Sequence, residues 1–241
     1  MSRRIGILGG MFDPIHRGHL DLAQAASATL ELTGMFVVPA NIPPHRPAPV
    51  ASSFHRFAMV SLAVAGRASW RASDIELCSE APSYTAATLK AFHEQGYDGS
   101  ELFFLTGADA FLEIETWNDY PALLDSAHFA VVSRPGISVL DLPERMPTLA
   151  HRMVRPPLTT VLPVAPSIFL VDRVTTDVSS TAVRARCLRQ ESIAGLVDPA
   201  VQQHIEQHDL YGPAVAGHSR IDPPPHAAAS RLHAHSRQRR S

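Results

Sequence analysis

Cysteine is nearly missing from this chain. Two residues in 241, Cys78 and Cys187, are too few for a disulfide framework and match no zinc spacing. Both are expected to be small buried hydrophobes. No apolar run reaches the length of a membrane-spanning helix, and the one after Met1-Ser-Arg-Arg is too short for a secretory signal. A strong charge excess is missing too. The formal net charge of −2 gives no overall attraction to nucleic acid or an anionic membrane, so neither is expected as a partner. A reducing cytoplasm is the expected compartment. What is present is a large apolar fraction: 45% hydrophobic residues over this length can bury one full core, with room for a subdomain.

The stretch from Gly9 to His19 concentrates the chemistry. It follows the apolar run Ile5–Leu8, which reads as a buried first strand. It precedes a helical pattern with Leu20, Leu22, Ala23, Ala26, Leu30 and Leu32 mostly on one face. Gly9 and Gly10 permit positive φ and close backbone approach, and the unpaired N–H groups of the helix start suit an anion. His16 and His19 flank Gly18, leaving room for a phosphate between two imidazoles able to carry charge near neutrality. Other readings stand beside this one. Strand–Gly-Gly–helix often serves only as a turn, and the string is neither the Lys-Ser/Thr phosphate loop nor the triple-glycine fingerprint. Two His at i, i+3 could ligate a metal, but only Asp13 and Asp21 lie near to complete a set, and no protein metal site is expected.

Further along, strands and helices alternate. Met35–Val38 reads as a second strand, ending in a proline-dense loop, residues 39–49, that contains Asn41, His45 and Arg46. Residues 53–65 have helical spacing (Phe54, Phe57, Ala58, Ser61, Leu62, Ala65), with Ser52 or Ser53 as cap and the aromatics read as core. A strand is expected over 70–77. Ala81-Pro-Ser-Tyr-Thr85 opens another helix, where Ser83 and Thr85 serve as caps or the helix start holds a carboxylate. Glu101–Thr106 is a buried strand leading to Gly107-Ala-Asp109. Asp109 could grip ribose hydroxyls or cap the next helix. Trp117 is a core or anchoring aromatic by default. Residues 129–133 form a strand ending at Arg134-Pro-Gly136. Six prolines between 137 and 166 exclude long regular elements, and 168–171 resumes a strand.

A second chemical cluster is Asp177-Val-Ser-Ser-Thr-Ala-Val-Arg184. Ser179 caps a helix, Ser180 and Thr181 follow in its first turn, and Arg184 lies further along. It is either an ordinary helix N-terminus with an exposed Arg, or a triphosphate clamp of hydroxyls, N–H groups and a guanidinium. A last helix is expected over 199–208. Residues 213–241, with five Arg against the single Asp222 and no apolar period, read as a disordered tail beyond a domain of residues 1–212.

The string Gly-x-Phe-Asp-Pro-x-His-x-Gly-His closely resembles the signature of the HxGH nucleotidylyltransferase superfamily. Asp177–Arg184 resembles its second signature, Ile-Ser-(Ser/Ala)-Thr-x-x-Arg. Within that superfamily, Asn-x-Pro-Pro-His-Arg46, Pro-Ser-Tyr-Thr85, Gly-Ala-Asp109, Trp117 and Arg134-Pro-Gly resemble segments of bacterial nicotinate-mononucleotide adenylyltransferases. The resemblance covers roughly residues 3–212. It implies a doubly wound α/β fold: a parallel, Rossmann-like nucleotidylyltransferase sheet with a small C-terminal helical portion. It also makes residues 137–166 an insertion or small flap. The implied reaction joins ATP and nicotinate mononucleotide into deamido-NAD and pyrophosphate, with Mg²⁺ carried on the ATP phosphates. The implied ATP site is Gly9, Gly10, Phe12, His16, His19, Gly107, Asp109, Arg134, Ser179, Ser180, Thr181 and Arg184. The implied mononucleotide site is Asn41, His45, Arg46, Ser83, Tyr84, Thr85 and Trp117. Catalysis would rest on His16, His19, Arg46, Thr181 and Arg184. The alternatives are another adenylyltransferase of the superfamily, such as one acting on phosphopantetheine, or a non-catalytic nucleotide sensor. Homo-oligomerisation stays open.

Overall fold

The computed structural model describes residues 3–43, 47–157, 163 and 165–213. Strands β1 (Ile5–Gly10), β2 (Gly34–Pro39), β3 (Trp70–Ala72), β4 (Leu102–Gly107), β5 (His128–Val132), β6 (Met153–Val154) and β7 (Ile168–Val171) form one sheet of order β3-β2-β1-β4-β5-β7-β6. Every pairing is parallel. From β1 the chain runs outward through β2 and β3, then crosses back to β4 and β5 on the other side, where β7 inserts between β5 and the edge strand β6. β1 and β4 therefore flank the switch point, where open α/β sheets leave a crevice beyond the strands' carboxyl ends.

Both faces of the sheet are covered, which is why the strands read as continuous apolar runs. Side chains alternate between two cores. Leu8, Phe103, Leu105, Ala130, Val132, Phe169 and Val171 face one side. Ile7, Leu102, Phe104, Phe129, Val131, Ile168 and Leu170 face the other. The helices α1 (Arg17–Leu30), α2 (Ser53–Val64), α6 (Ser180–Leu188) and α7 (Pro199–Gln207) bury residues in the first core. Between them in sequence, α3 (Thr85–Glu94), α4 (Ala108–Phe111) and α5 (Leu142–Arg145) bury residues in the second.

Several sequence expectations are corrected. Helix α2 begins at the Ser52 cap, which accepts from the His55 N–H, but its buried face is Arg56, Met59, Val60, Ala63 and Val64. The face carrying Phe54 and Phe57 is the outer one, and Phe54 is 57% exposed. The helical period was real, but α2 carries apolar residues on both sides, and the side that packs on the sheet is the one that includes Arg56. Strand β3 is three residues long, and 74–78 turns instead. Pro39 closes β2 opposite Gly10. Leu32 lies past α1, whose C-cap Glu31 is left-handed (φ 52°). Cys78 is exposed and Cys187 half-buried. Of the expected flap, Val139, Leu142, Met146 and Leu149 are buried in the second core, so this part is packed against the body. Apart from Pro213, the expected tail of residues 213–241 lies outside the described residues.

Candidate active site

Because the sheet is parallel, the segments leaving β1, β2, β4, β5 and β7 all emerge at the same edge. That edge gathers His16, Asn41, Asp109, Arg134 and residues 179–184.

The turn after β1 works differently from its expected form. Neither Gly9 nor Gly10 has positive φ; Phe12 does, at 48°. Gly10 is needed for space, since a Cβ there would lie 2.9 Å from the Phe12 ring. Nor does Gly18 leave room for a ligand. Its missing Cβ would meet the Thr176 carbonyl at 2.9 Å and the His16 ring at 3.3 Å. The imidazoles of His16 and His19 are stacked, with centroids 3.6 Å apart and planes at 23°, so no phosphate sits between them. Phe12 meets His19 edge-on at 5.0 Å.

Backbone geometry fixes a tautomer. His16 is the N-cap of α1, and its N–H donates to His19 Nδ1 at 3.2 Å. A nitrogen that accepts cannot carry the proton of a neutral ring, so His19 bears it on Nε2. Burial, followed by the neighbouring His16 and the Arg134 charge, holds His19 well below the usual imidazole range. Burial and then Arg134 lower His16 to about 4. Both rings are therefore neutral near pH 7, contrary to the expectation of charge. The helix-start amides are also partly committed: Arg17 N–H donates to Leu196 O at 2.8 Å and His19 N–H to His16 O at 3.0 Å. Among the described residues, the buried His16 Nδ1 has no hydrogen-bond partner.

Neither nearby carboxylate completes a metal set with these histidines. Asp13 is buried and accepts from Val50 N–H (2.7 Å), Ala51 N–H (3.0 Å) and Tyr211 OH (2.8 Å). Asp21 is engaged by the N–H and hydroxyl of Thr176.

The second cluster folds as expected and joins the first. Ser179 Oγ accepts from Ala182 N–H at 3.1 Å and caps α6. Ser180 Oγ donates to Pro14 O at 2.9 Å. Arg184 is anchored rather than loose: Nη1 donates to Asp13 O at 2.6 Å, and Nη2 lies 3.3 Å from Thr181 Oγ1. Across the switch point, Arg134 Nε stands 3.9 Å from Asp109 Oδ1. Gly107 leaves space for this pair, since a Cβ there would displace the Asp109 carboxylate and crowd the Arg134 side chain at 3.0 Å. Asp109 sits inside α4, whose N-cap is Gly107, so it does not cap that helix.

Beside Asp109 opens a pocket of about 530 Å³ lined by Pro43, Ser83, Tyr84, Thr85 and Trp117, among others. Trp117 stands edge-on to Phe104 at 6.0 Å, which holds the indole in the pocket wall. Neither Ser83 nor Thr85 caps α3; the N-cap position is Tyr84, whose side chain does not cap the helix. Instead Ser83 Oγ accepts from Asn41 N–H at 2.9 Å and Ile42 N–H at 3.3 Å, fastening the loop after β2. The Asn41 carboxamide donates to Ser79 O at 2.8 Å. His45 and Arg46 lie outside the described residues.

Two supporting residues escaped the sequence. Arg56, 1% exposed, donates from Nη1 to Met11 O (2.8 Å) and Ala40 O (2.6 Å), tying the loops after β1 and β2 together. Its signal was the i, i+3, i+4, i+7 spacing with Met59, Val60 and Ala63, legible once an Arg is admitted to a core face. Tyr211, joined to Asp13, had no local signal.

A parallel switch-point sheet carrying stacked imidazoles, a serine-capped helix and a converging guanidinium defines a nucleotide-binding protein of the nucleotidyl-transferring class. A family model described as cytidylyltransferase-like matches residues 7–186. A Cronobacter sakazakii protein named "Probable nicotinate-nucleotide adenylyltransferase" is 39% identical over 207 residues, covering 86% of this chain and 94% of its own. A Desulfatibacillum aliphaticivorans protein of the same name is 38% identical over 217 residues, covering 86% and 99%. The fold matches that of Plasmodium falciparum nicotinic acid mononucleotide adenylyltransferase complexed with NaAD, at TM-score 0.66 and 18% identity over 87% of this chain and 98% of that one. The chain belongs to the cytidylyltransferase-like family and, within it, to the nicotinate-nucleotide adenylyltransferases.

Proposed function

We propose that the protein transfers AMP from ATP to nicotinate mononucleotide, releasing pyrophosphate and forming deamido-NAD. The observation that carries this reading is the pairing of two subsites at one sheet edge. The aromatic pocket of Tyr84 and Trp117 is joined to the histidine and arginine side through Asp109 and Arg134.

The attacking group is a phosphate oxygen of the mononucleotide, already an anion, so no strong base is required. It bonds to the α-phosphorus of ATP as the bond from that phosphorus to the bridging oxygen breaks, and the electron pair leaves with pyrophosphate. The protein aligns two anions and offsets the charge that develops. His19, with its proton held on Nε2, donates there as a neutral imidazole. Arg184, Thr181 and the first N–H groups of α6 take the far phosphates, with Arg46 from the loop after β2. Gly9, Gly10 and Gly107 let the nucleotide approach backbone, and Asp109 accepts from ribose hydroxyls. Trp117 stacks on the pyridine ring. The amides of the first turn of α3 precede its first helical bond, from Thr88 N–H to Tyr84 O, and suit the nicotinate carboxylate. Imidazoles and guanidinium groups form no oxygen cage for a hard cation, so Mg²⁺ enters as part of the nucleotide substrate.

The test is pyrophosphate release from Mg-ATP with nicotinate mononucleotide, nicotinamide mononucleotide or phosphopantetheine as acceptor. Turnover fastest with the first, with a product of deamido-NAD mass, supports the reading. Preference for phosphopantetheine, or no acceptor-dependent release, overturns it.

A further inference from the structure

Away from the sheet edge, three imidazoles converge where α2 packs on α7. His55 is in the first turn of α2, His204 is on α7, and His208 is the C-cap of α7. The four-residue spacing of His204 and His208 puts them one turn apart on one helix face. One ring nitrogen from each of the three lies within 4.8 Å of the others. We propose that His55, His204 and His208 form a structural site for a divalent transition metal of the zinc class, joining α2 to α7.

Geometry is the first argument. With zinc–nitrogen bonds of about 2.0–2.1 Å, tetrahedral ligation sets neighbouring ligand nitrogens roughly 3.3 Å apart. His55 Nδ1 and His204 Nε2 are already 3.1 Å apart. His208 is exposed, and a side-chain rotation brings its nitrogen in. Water completes the fourth position. A hydrogen bond between His55 and His204 alone accounts for two rings but not for the third, whose centroid is 4.4 Å from His204 and 4.9 Å from His55.

Donor chemistry is the second. The set is imidazole only, which suits zinc, copper, nickel or cobalt rather than magnesium or calcium. Burial and the two neighbouring rings favour neutral His204, the form that ligates. The carbonyl end of α7 favours a cation while the amide end of α2 opposes it, so ligation rather than field provides the affinity.

Position is the third. The residue after His55 is Arg56, which holds the carbonyls of Met11 and Ala40, and α7 leads to Tyr211, which donates to Asp13. A bond across these helices stabilises both supports of the turn after β1.

The test uses the untagged full chain, freed of metal and titrated with Zn²⁺ and, separately, Co²⁺. The sequence beyond 213 contains His218, His226, His233 and His235, so total binding is not diagnostic and the variants decide. The wild type should gain the visible absorption of tetrahedral Co²⁺ and a Tm rise of about 5 °C or more with saturating Zn²⁺. H55Q and H208Q should lose both. H208Q alters an exposed side chain, so it serves even where H55Q folds poorly, and its pyrophosphate release without added Zn²⁺ should stay within about twofold of wild type. Equal Co²⁺ spectra and Tm shifts in wild type and H208Q would overturn the proposal, as would neither signal in the wild type.

Discussion

The phenol of Tyr211 donates a 2.8 Å hydrogen bond to Oδ1 of Asp13, 198 residues earlier in the chain. Asp13 belongs to the turn between β1 and the histidine pair, so a residue beyond α7 secures the segment that carries the first functional ones. The phenol is buried beside the carboxylate, and both effects push its pKa far up. It remains a donor at every practical pH.

Tyr211→Phe keeps the ring and removes that donor, leaving Asp13 with the Val50 and Ala51 amides. A hydrogen bond to a charged acceptor contributes about 1.5–3 kcal/mol. The variant should unfold at lower denaturant with an unchanged m-value, while kcat stays within a few-fold. Unchanged stability would mean that water replaces the phenol.

His19→Ala removes a donor from the phosphate side, where the half-buried ring packs against Phe12 and His16. Loss of one aligned donor costs about 10²–10³ in kcat. The thermal midpoint should shift by only a few degrees. Steady-state pyrophosphate release checks the first value and calorimetry the second; an unchanged kcat would remove His19 from the mechanism.

Trp117 divides the two substrates. Trp117→Ala should raise KM for nicotinate mononucleotide about tenfold or more while KM for ATP moves less than twofold. Trp117→Phe should recover much of the loss. A rise confined to ATP would place the pyridine ring elsewhere.

Acid should destabilise the fold through its buried histidines. Burial lowers both His16 and His128 to about 4 in the folded chain, against about 6.5 when unfolded. As pH falls below 6.5 the unfolded chain takes up protons that the folded one refuses. The stability contribution is full above 6.5 and is lost toward 4, at about 1.4 kcal/mol per pH unit for each histidine. His128 Nδ1 accepts from Ser167 N–H, so H128Q keeps an acceptor and removes one titration. Its stability-versus-pH slope should be shallower by about one such increment, measured by urea unfolding from pH 7 to 4.5.

Gly18→Ala tests the contact between α1 and the segment before α6. A methyl group there faces the Thr176 carbonyl, which is backbone, and the ring of His16. Overpacking of this kind costs about 1–3 kcal/mol. Both stability and kcat should fall together, as the helix is pushed from the loop and the stacked imidazoles with it.

The continuous apolar strand runs and the serine cap of α6 were legible from residue order because each is a local matter of composition and capping, whereas the turn after β1 falls at Phe12 rather than at the two glycines. The two signatures, separated by about 160 residues, identified the family because their residue types are constrained by one ligand. The outward face of Phe54 was not legible, since a helix with apolar residues on both sides is oriented only by what packs against it. Nor was the state of the imidazoles. Sequence alone gave two titratable rings, whereas stacking, burial and Arg134 make them neutral and the His16 amide selects the His19 proton position.

Composition and order thus determined the parallel α/β class, the strand ends that carry function and the chemistry of the donors. Only the tertiary structure decided that Tyr211 holds Asp13, that Arg184 grips the backbone of the opening turn, and that three histidines from two helices meet. Those relations arise when the parallel sheet and its two helical layers bring distant segments to one place, and no spacing along the chain encodes them.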